Sequence, residues 1–349
     1  MRKLATVRKI DEIRPIEGAD TIECAVVGGW TVVIRKGEYQ IGDLAVYCEI
    51  DSWIPTELAP FLSKGQEPRE YNGVKGERLR TVRLRGQLSQ GLLLPFTTAM
   101  AIKIGAGPGS KFEDYLDTDV TDFLGIQKWE APIPAQLSGL IRGNFPTAVP
   151  KTDQERIQNL KKELEDWKAR GLAFECTEKL DGSSCTMYLD EDGEFHVCSR
   201  NLDLAYDENN SFWRMAIKYD VHNRLMTANL KQFAIQGELI GEGIQGNPYN
   251  IKGQDFYVFD MYDVYLGKYV SPEDRQGLIT QLELKHVPTY VTNWKLNETD
   301  SVESLLKLAE SKSELNSKTE REGIVFKCHE DPSVSFKVIS NKFLLKGGN

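Results

Sequence analysis

A lysine lies between two carboxylates where a predicted strand meets a tight turn. Residues 177–182 read TEKLDG, with Lys179 followed closely by the turn-forming pair Asp-Gly. Residues 174–176 and 185–189 read as the flanking strands. A lysine amine is a nucleophile only when it is uncharged, so a catalytic lysine needs burial or nearby positive charge to lower its pKa. Lys179 is therefore a candidate nucleophile, and the alternative is an ordinary lysine that faces solvent in a hairpin turn.

Further charged side chains recur at or near the ends of predicted strands in the second half of the chain. Burying an unpaired charge costs several kcal/mol, so charges embedded in apolar strands pair with one another or line a polar cleft. One shared cleft is the favoured interpretation, and isolated structural ion pairs are the alternative. The residues expected to meet Lys179 in this cleft are Arg200, Glu238, Phe259, Glu322, Lys327 and Lys337.

The composition is that of an ordinary globular protein. The 349 residues are 40% hydrophobic and 27% charged, and this length predicts two domains. A net charge of -9 argues against a protein that coats nucleic acid nonspecifically, but it allows a local basic patch. The six cysteines include no CxxC pair, and the four histidines lack the spacing of zinc ligands. No apolar run approaches the roughly 20 residues of a membrane span. We therefore expect a soluble, cytoplasmic protein with reduced thiols.

The first 95 residues contain short strand-like segments separated by glycine and acidic turns. Segments so closely spaced predict a five-stranded OB-like β-barrel, with strands at 4–10, 21–27, 30–34, 44–50 and 81–94. Five of the 14 lysines and arginines in these 95 residues lie on one stretch, residues 75–85. We expect a nucleic-acid-binding surface there, with Arg78 and Arg80 on one strand face and Arg83 and Arg85 on another. The alternative is a solvated edge strand protected by its charges.

The remaining chain divides into a connecting region and a second domain. Residues 96–150 are rich in glycine and proline and have only weak periodicity. The second domain is predicted at 151–349, where a capping box at 152–155 begins an amphipathic helix that ends at Gly171. Strands and three further helices follow, one of them around residues 213–232. The predicted fold class is therefore α+β, with the OB-like barrel followed by antiparallel sheets and flanking helices.

Six segments of the second domain resemble the ordered motifs of the covalent nucleotidyltransferases, the superfamily of ATP-dependent polynucleotide ligases and capping enzymes. In the order of motifs I, Ia, III, IIIa, IV and V, they are EKLDG at 178–182, SRN at 199–201, GELIG at 237–241, FYVFDMY at 256–262, EGIVFK at 322–327 and SFKVI at 335–339. The residues around motifs I and III resemble the RNA ligase 2-like branch. The OB-like module before them resembles the RNA ligases with that N-terminal arrangement, so the second domain is expected to be a ligase-type adenylyltransferase.

This resemblance implies a reaction for the site. Lys179 would attack the α-phosphorus of ATP, expel pyrophosphate and hold AMP covalently. The AMP would pass to an RNA 5′-phosphate, and a 3′-hydroxyl would displace it to seal the strand. Such transfers need charge neutralisation and alignment more than acid–base catalysis. Lys327 and Lys337 would therefore lie over the phosphates as catalytic residues and would help to keep Lys179 uncharged.

The same resemblance assigns the nucleotide and metal contacts. Mg²⁺ or Mn²⁺ would be held, directly or through its waters, by Asp181, Glu238 and Glu322. The nucleotide would be bound by Glu178 at the adenine amino edge, Arg200 at the ribose, Phe259 stacked on adenine, and Glu238, Lys327 and Lys337. A plain core position is the alternative for Phe259, because it belongs to an apolar run. Many relatives have a second motif V lysine where this sequence has Ile339, and Lys342 follows further on.

The leading functional hypothesis is an ATP-dependent RNA ligase that seals 3′-hydroxyl and 5′-phosphate ends. We expect a monomer that acts on nicked or broken RNA duplexes, with an RNA or a DNA template strand. The first alternative is a DNA ligase or a GTP-dependent capping enzyme of the same superfamily, which usually has its OB module after the catalytic domain. The second alternative is a non-catalytic nucleic-acid-binding protein that works through its barrel.

Overall fold

The computed structural model describes residues 3–97, 100–101, 105, 111–130 and 140–347. The chain divides into two compact units, residues 1–131 and residues 132–348. None of the helices in the described ranges has the length and apolar character needed to cross a lipid bilayer.

The first unit is built almost entirely from short antiparallel strands. They form four sheets, with the orders β1-β5-β11, β2-β3-β4, β12-β6-β8-β7 and β9-β10. Single turns of 3₁₀ helix lie at Pro60–Ser63 and Phe112–Tyr115. The strands are β1 Ala5–Lys9, β2 Glu12–Pro15, β3 Ile22–Val27, β4 Trp30–Arg35, β5 Leu44–Cys48, β6 Ser52–Pro55, β7 Arg69–Tyr71, β8 Val74–Arg78, β9 Val82–Leu84, β10 Gln87–Ser89, β11 Leu92–Pro95 and β12 Gln127–Lys128.

The core of this unit includes residues from beyond the predicted barrel. Val120 and Ile126 are buried in the same apolar cluster as Val7 and Val46. The backbone N–H of Val120 also donates to the carbonyl oxygen of Ala5 over 2.9 Å. Part of the predicted connecting region at 96–150 therefore packs with the first unit, and its last residues, from 140 onward, belong to the second.

The second unit combines two sheets with flanking helices. Its strands are β13 Ile141–Asn144, β14 Glu155–Arg156, β15 Ala173–Lys179, β16 Ser183–Leu189, β17 Phe195–Cys198, β18 Leu202–Leu204, β19 Phe233–Gly241, β20 Gln254–Asp263, β21 Lys268–Tyr269, β22 Lys285–His286, β23 Thr289–Lys295, β24 Gly323–Cys328 and β25 Ser335–Ile339. Its helices are a 3₁₀ turn at Ile157–Asn159, α1 Lys161–Arg170, α2 Ser211–Lys218, α3 Val221–Thr227, α4 Pro272–Gln281, α5 Val302–Ala309 and α6 Asn341–Leu345.

The two sheets are joined where the candidate nucleophile lies. The larger sheet has the order β13-β18-β17-β16-β19-β20-β21, and β22 also pairs with β20. The smaller sheet has the order β14-β25-β24-β15-β23. The chain leaves the smaller sheet at Lys179, turns through residues 180–182 and enters the larger sheet at Ser183. Antiparallel pairing with few helices agrees with the predicted fold class.

Local predictions of helices were correct in part. Helix α1 ends at Gly171, which has φ 65°, as the glycine predicted. Its start is at Lys161 and not at the predicted capping box, because residues 155–156 form β14 parallel to β25. The helix predicted around 213–232 is two helices, separated at Asp220, which has the left-handed φ of 45°.

The turn after Lys179 needs a glycine for reasons of space. A Cβ on Gly182 would overlap the carbonyl oxygen of Leu239 and lie 2.7 Å from the Cγ2 of Ile240, both on β19. The turn therefore lies directly against the neighbouring strand of the larger sheet.

We predict that Gly182→Ala lowers the free energy of unfolding by about 1–3 kcal/mol, because the turn must move away from β19. Denaturant unfolding measures this change. Gly277→Ala is the matched control, since no atom lies within 4 Å of the added Cβ and the residue is in helix α4. That control should keep or gain stability, by up to about 1 kcal/mol. Equal stability of both variants would contradict the close approach at Gly182.

Candidate active site

Lys179 contacts a carboxylate at the end of two paired strands. It is the last residue of β15 and is opposite Gly323, the first residue of β24. Its Nζ lies 2.8 Å from Oε2 of Glu322, which directly precedes β24. The Lys179 side chain is 25% exposed, so it is not fully enclosed by protein. Lys179 and Glu322, which were expected to meet in one cleft, are thus in contact.

Two more carboxylates act on the same amine. Burial lowers the pKa of Lys179, but the charges of Glu322, Glu238 and then Asp181 raise it more, so the net shift is upward. Burial raises the pKa of Glu238 to about 8, and the neighbouring carboxylates add to this rise. Burial and the charge of Glu322 also raise the pKa of Asp181. The ionised forms of Glu238 and Asp181 are therefore disfavoured, and the raised pKa of Lys179 keeps its amine an ammonium.

The expectation that cations surround Lys179 and keep it uncharged is wrong, because the net shift of its pKa is upward. The groups that dominate its electrostatic environment are acidic. A sequence pattern shows which charges recur, but it does not rank their distances from one amine. The loss of the proton from Lys179 therefore requires that the effect of these carboxylates is offset.

Lys337 lies on the same sheet face as Lys179. Paired residues of adjacent strands share a face, and Thr177, Val325 and Lys337 are opposite one another across β15, β24 and β25. Thr177 is two residues before Lys179, so the side chains of Lys179 and Lys337 project from one side. Lys337 is 9% exposed. The structure therefore brings this predicted site residue close to the nucleophile strand.

Arg156 is a cation at this sheet that sequence reasoning missed. It is on β14, in parallel register with Lys337 on β25, and it is 5% exposed. The sequence placed it inside a helix that was expected to begin at residue 152. No local pattern distinguished it from a surface arginine of the first helical turn. The edge strand thus puts a second, buried positive charge beside Lys337.

Lys327 lies in a different environment from the one expected. It is four residues from Gly323 along β24, which corresponds to about 13 Å. Its Nζ bonds to Asp260 and lies 3.2 Å from the carbonyl oxygen of Pro332 and 4.0 Å from the ring centroid of Tyr269. Burial lowers its pKa. The structure therefore places Lys327 against Asp260 of the larger sheet.

Asp260 belongs to a buried network of ionised side chains. Arg275 of helix α4 bonds to Glu175 of β15, and its Nη1 lies 3.7 Å from Oδ1 of Asp260. Gln276 also donates to Glu175, over 2.6 Å. The four charged members, Glu175, Asp260, Arg275 and Lys327, are each at most 4% exposed. The network joins both sheets and a helix, and its two cations balance its two carboxylates.

Arg200 extends from the turn after β17 into an exposed position. Its Nη2 lies 2.6 Å from both carboxylate oxygens of Asp153. Its charge also reaches Glu238, whose pKa it lowers. Arg200 is thus electrostatically linked to the carboxylates around Lys179, at the rim of the second unit.

Phe259 is aimed by an irregularity in the sheet. Gln236 pairs with Asp260 and Gly237 pairs with Val258, so Phe259 is the extra residue of a β-bulge. It is half-buried and packs against the apolar cluster that contains Leu180 of the nucleophile turn. A bulge redirects a side chain that regular alternation would point elsewhere, and it leaves this ring partly exposed.

Glu178 is buried on the reverse face of the sheet, opposite to the side of Lys179. It is 1% exposed. Its Oε2 accepts hydrogen bonds from the Tyr290 hydroxyl over 2.6 Å and from the Glu314 backbone N–H over 2.9 Å. Both of these bonds use Oε2, and Oε1 is buried without a hydrogen-bond partner among the described residues, so the contact of this carboxylate with an adenine amino group stays a prediction.

Ile339 stands where many relatives have a second motif V lysine, and Lys342 follows it. Ile339 is opposite Gly323 and is buried. Lys342, on helix α6, is exposed, and its Nζ lies 3.6 Å from Oε2 of Glu310. Lys342 is therefore engaged with an acidic residue of the preceding segment.

The predicted basic surface of the first unit is only partly exposed. Arg78 is 6% exposed, forms an ion pair of 2.6 Å with Asp51 and lies 3.7 Å from the ring centroid of Trp129. Arg80, Arg83 and Arg85 are exposed. Arg78 therefore has a structural role in the first unit. The exposed positive charge of this stretch comes from Arg80, Arg83 and Arg85.

These arginines do not share strand faces as predicted. Arg80 lies between β8 and β9, and Arg83 is the middle residue of β9. Arg85 is in the turn to β10, with a left-handed φ of 48°, and Gly86 follows with φ 81°. The periodicity suggested one strand at 81–94, but the turn divides it, so Arg85 is at the tip of a two-stranded ribbon.

Comparisons with known proteins cover both units. The sequence family described as OB-fold domain matches residues 4–96, and the family described as RNA ligase matches residues 172–339. No curated protein matches the chain.

The full chain is similar to solved structures of Naegleria gruberi RNA ligase. A mutant of that protein with AMP and Mn is 46% identical, with a TM-score of 0.90 and 100% coverage of both chains. A second mutant, with ATP and Mn, is 46% identical with a TM-score of 0.88 over 98% of each chain. The same protein with PPi is 46% identical with a TM-score of 0.88, over 99% of this chain and 98% of that one.

Proposed function

This chain belongs to the ATP-dependent RNA ligases that have an N-terminal OB-fold domain, and we propose from that premise that it joins 3′-hydroxyl and 5′-phosphate RNA ends through an AMP bound to Lys179. The observation that carries this proposal is the position of Lys179, whose side chain is partly exposed at the end of β15 and contacts Glu322. An amine so placed can form a phosphoramidate with the α-phosphorus of ATP while pyrophosphate leaves.

Cations near this strand support the binding of the nucleotide phosphates. Lys337 projects from the same sheet face as Lys179, and Arg156 lies beside it. We propose that these two side chains neutralise phosphate charge and orient the pyrophosphate leaving group. Lys327 acts differently from the expectation, because its amine is bound to Asp260 inside the protein. Its proposed role is to hold the two sheets together around the nucleotide.

The base and the ribose have candidate contacts in the same unit. The half-buried ring of Phe259, aimed by its bulge, supports the stacking of adenine. Arg200 would exchange its contact with Asp153 for the ribose. Oε1 of Glu178, which is unpartnered within the part of the chain that the structure describes, supports its proposed contact with the amino edge of adenine.

The acidic residues around Lys179 fit a divalent cation. Asp181, Glu238 and Glu322 supply hard oxygen donors, and their mutual repulsion would be relieved by positive charge. Within the described residues, no three acidic, histidine or cysteine side chains are arranged to hold an ion together. We therefore propose that these carboxylates hold a hydrated Mg²⁺ or Mn²⁺ through its waters. Such an ion supplies positive charge that offsets the carboxylates and favours the neutral amine.

RNA is the substrate class of this family, and the ends are proposed to be presented on a nicked duplex to a monomeric enzyme. The functional boundaries are proposed as an OB module at 1–95, a connecting region at 96–150 and an adenylyltransferase domain at 151–349. Incubation of wild type with labelled ATP and a divalent cation tests the enzyme assignment, and labelled GTP in parallel tests the capping reaction. Sealing of nicked duplexes with RNA or DNA on each side of the break then defines the substrate.

The exposed ribbon β9–β10 supports a contact with the RNA backbone. We predict that Arg83→Ala combined with Arg85→Ala leaves adenylylation of the protein intact but weakens the sealing of nicked RNA about tenfold at physiological salt. Single-turnover sealing at two salt concentrations measures this effect. Lys9→Ala combined with Lys36→Ala is the control, since it removes two exposed positive charges from the same unit. A parallel loss of adenylylation would indicate a folding role for the two arginines.

A further inference from the structure

Three side chains meet on the reverse face of the small sheet, directly behind the contact between Lys179 and Glu322. Glu178 precedes Lys179 in the sequence, and Arg321 precedes Glu322. Tyr290 of β23 touches both of them. Glu178 and Arg321 each directly precede one member of the Lys179–Glu322 contact, so a group that holds residues 178 and 321 also restricts the positions of the two residues that follow them.

The contacts of this cluster are short and buried. The Tyr290 hydroxyl donates to Oε2 of Glu178 over 2.6 Å. The guanidinium carbon of Arg321 lies 4.6 Å from the centroid of the Tyr290 ring. Arg321 is anchored in turn, because its Nε donates to the carbonyl oxygen of Ala309 over 2.9 Å. Glu178 and Arg321 are 1% and 6% exposed, so water does not compete for these contacts.

The chemistry of Glu178, Tyr290 and Arg321 favours the contacts among them. Burial raises the pKa of Tyr290, so its hydroxyl stays protonated and remains a donor. A buried carboxylate needs donors, and the hydroxyl of Tyr290 and the backbone N–H of Glu314 supply two of them. A planar guanidinium over an aromatic ring is an attractive contact that resists displacement when both are desolvated.

We propose that Tyr290 is a positioning residue for the adenylylation step, because it couples Glu178 to Arg321 and thereby sets the position of Lys179 relative to Glu322. This inference rests on the proposed role of Lys179 as the nucleophile. The attacking amine must be aligned with the α-phosphorus, and a small displacement of an aligned nucleophile lowers the rate strongly. Joining a 3′-hydroxyl to an RNA end that already carries AMP forms no bond to Lys179. Tyr290 therefore acts on the first step and not on the last.

Tyr290→Phe tests this directly, because it removes one hydroxyl and keeps the ring under Arg321. The rate constant of protein adenylylation at saturating ATP is expected to fall about tenfold. Sealing of a nicked duplex with a pre-adenylylated 5′ end is expected to be unchanged, while the denaturation midpoint falls slightly because the buried Glu178 loses one of its donors. Arg321→Lys keeps the charge but loses the planar contact, and it should slow the same step to a smaller extent.

Tyr219→Phe is the matched control. Its hydroxyl also donates to a carboxylate, that of Asp255, within the same unit but away from β15 and β24. Both reactions of this variant should equal those of wild type. The inference is overturned if Tyr290→Phe adenylylates as fast as wild type, or if it loses both reactions in proportion to its stability. Absence of an adenylate on wild type would instead reject the proposed function itself.

Discussion

Lys179→Ala is expected to abolish protein adenylylation, by at least about 10⁴-fold, and with it the sealing of RNA nicks that carry a 5′-phosphate. The reason is that no other described lysine shares the place of Lys179 at the end of β15 against Glu322. Transfer of label from ATP to the protein, followed by denaturing gel electrophoresis, measures the effect. A nick that is already adenylylated should be sealed faster by this variant than a 5′-phosphate nick, since the missing bond is not needed.

Lys295→Ala is the control for this experiment. Lys295 is an exposed lysine at the end of β23, next to the same strand β15. Its replacement should leave adenylylation and sealing at the wild-type level. If Lys179→Ala still acquired label from ATP, while wild-type protein first treated with unlabelled ATP did not, the nucleophile would be a residue other than Lys179.

Arg275→Met is expected to destabilise the second unit by about 3–5 kcal/mol, the largest stability effect that we predict for a single substitution. Arg275 is 0% exposed and faces Glu175 and Asp260, so its removal leaves two buried carboxylates with one cation, Lys327. Methionine keeps much of the side-chain volume, so the loss reports on charge and not on a cavity. Chemical denaturation of the purified variant measures the free energy of unfolding.

Arg170→Ala is the comparison for this second prediction. Arg170 forms an ion pair of 3.2 Å with Asp166 on the surface of helix α1, and both side chains are more than half exposed. Exposed pairs of this kind contribute about 0.3–0.5 kcal/mol. If Arg275→Met cost no more than Arg170→Ala, the buried network would not be what joins the two sheets.

The chemistry-bearing segments and their order were predictable from the sequence, and so was the position of Lys179 at a strand end before a turn. The segments and their order follow from the resemblance to the nucleotidyltransferase motifs, and the position of Lys179 follows from a local pattern, a strand-like segment before an Asp-Gly pair. Glycine at 182 has a non-local cause as well, since β19 leaves no room for a Cβ. The helix end at Gly171 was also predictable, because a glycine with positive φ terminates a helix.

The partners of the charged residues were not predictable, because they depend on pairing between distant strands. Lys327 was expected over the phosphates. The register of β15 and β24 instead places it opposite Glu175, where its amine bonds to Asp260. Arg156 was hidden inside a predicted helix, although it is on an edge strand beside Lys337. Sequence alternation assigns a face, but only the sheet order says which residues meet on it.

The basic stretch of the first unit illustrates the same limit. The four arginines between residues 78 and 85 were predicted to form one basic surface. The side chain of Arg78 is instead buried against Asp51 and Trp129. Its burial depends on Asp51, in the turn between β5 and β6, and on Trp129 after β12. The arginines beyond it remain exposed because the β9–β10 ribbon projects its own residues to solvent.

The central claim is tested most directly by peptide mapping of the wild-type protein after incubation with ATP and Mn²⁺. The account predicts a mass increase of one AMP on the peptide that carries Lys179, with fragmentation that places it on the lysine Nζ, and loss of the adduct on treatment with acid. Absence of the adduct from a protein that still seals RNA nicks, or its location on a different residue, would contradict the account.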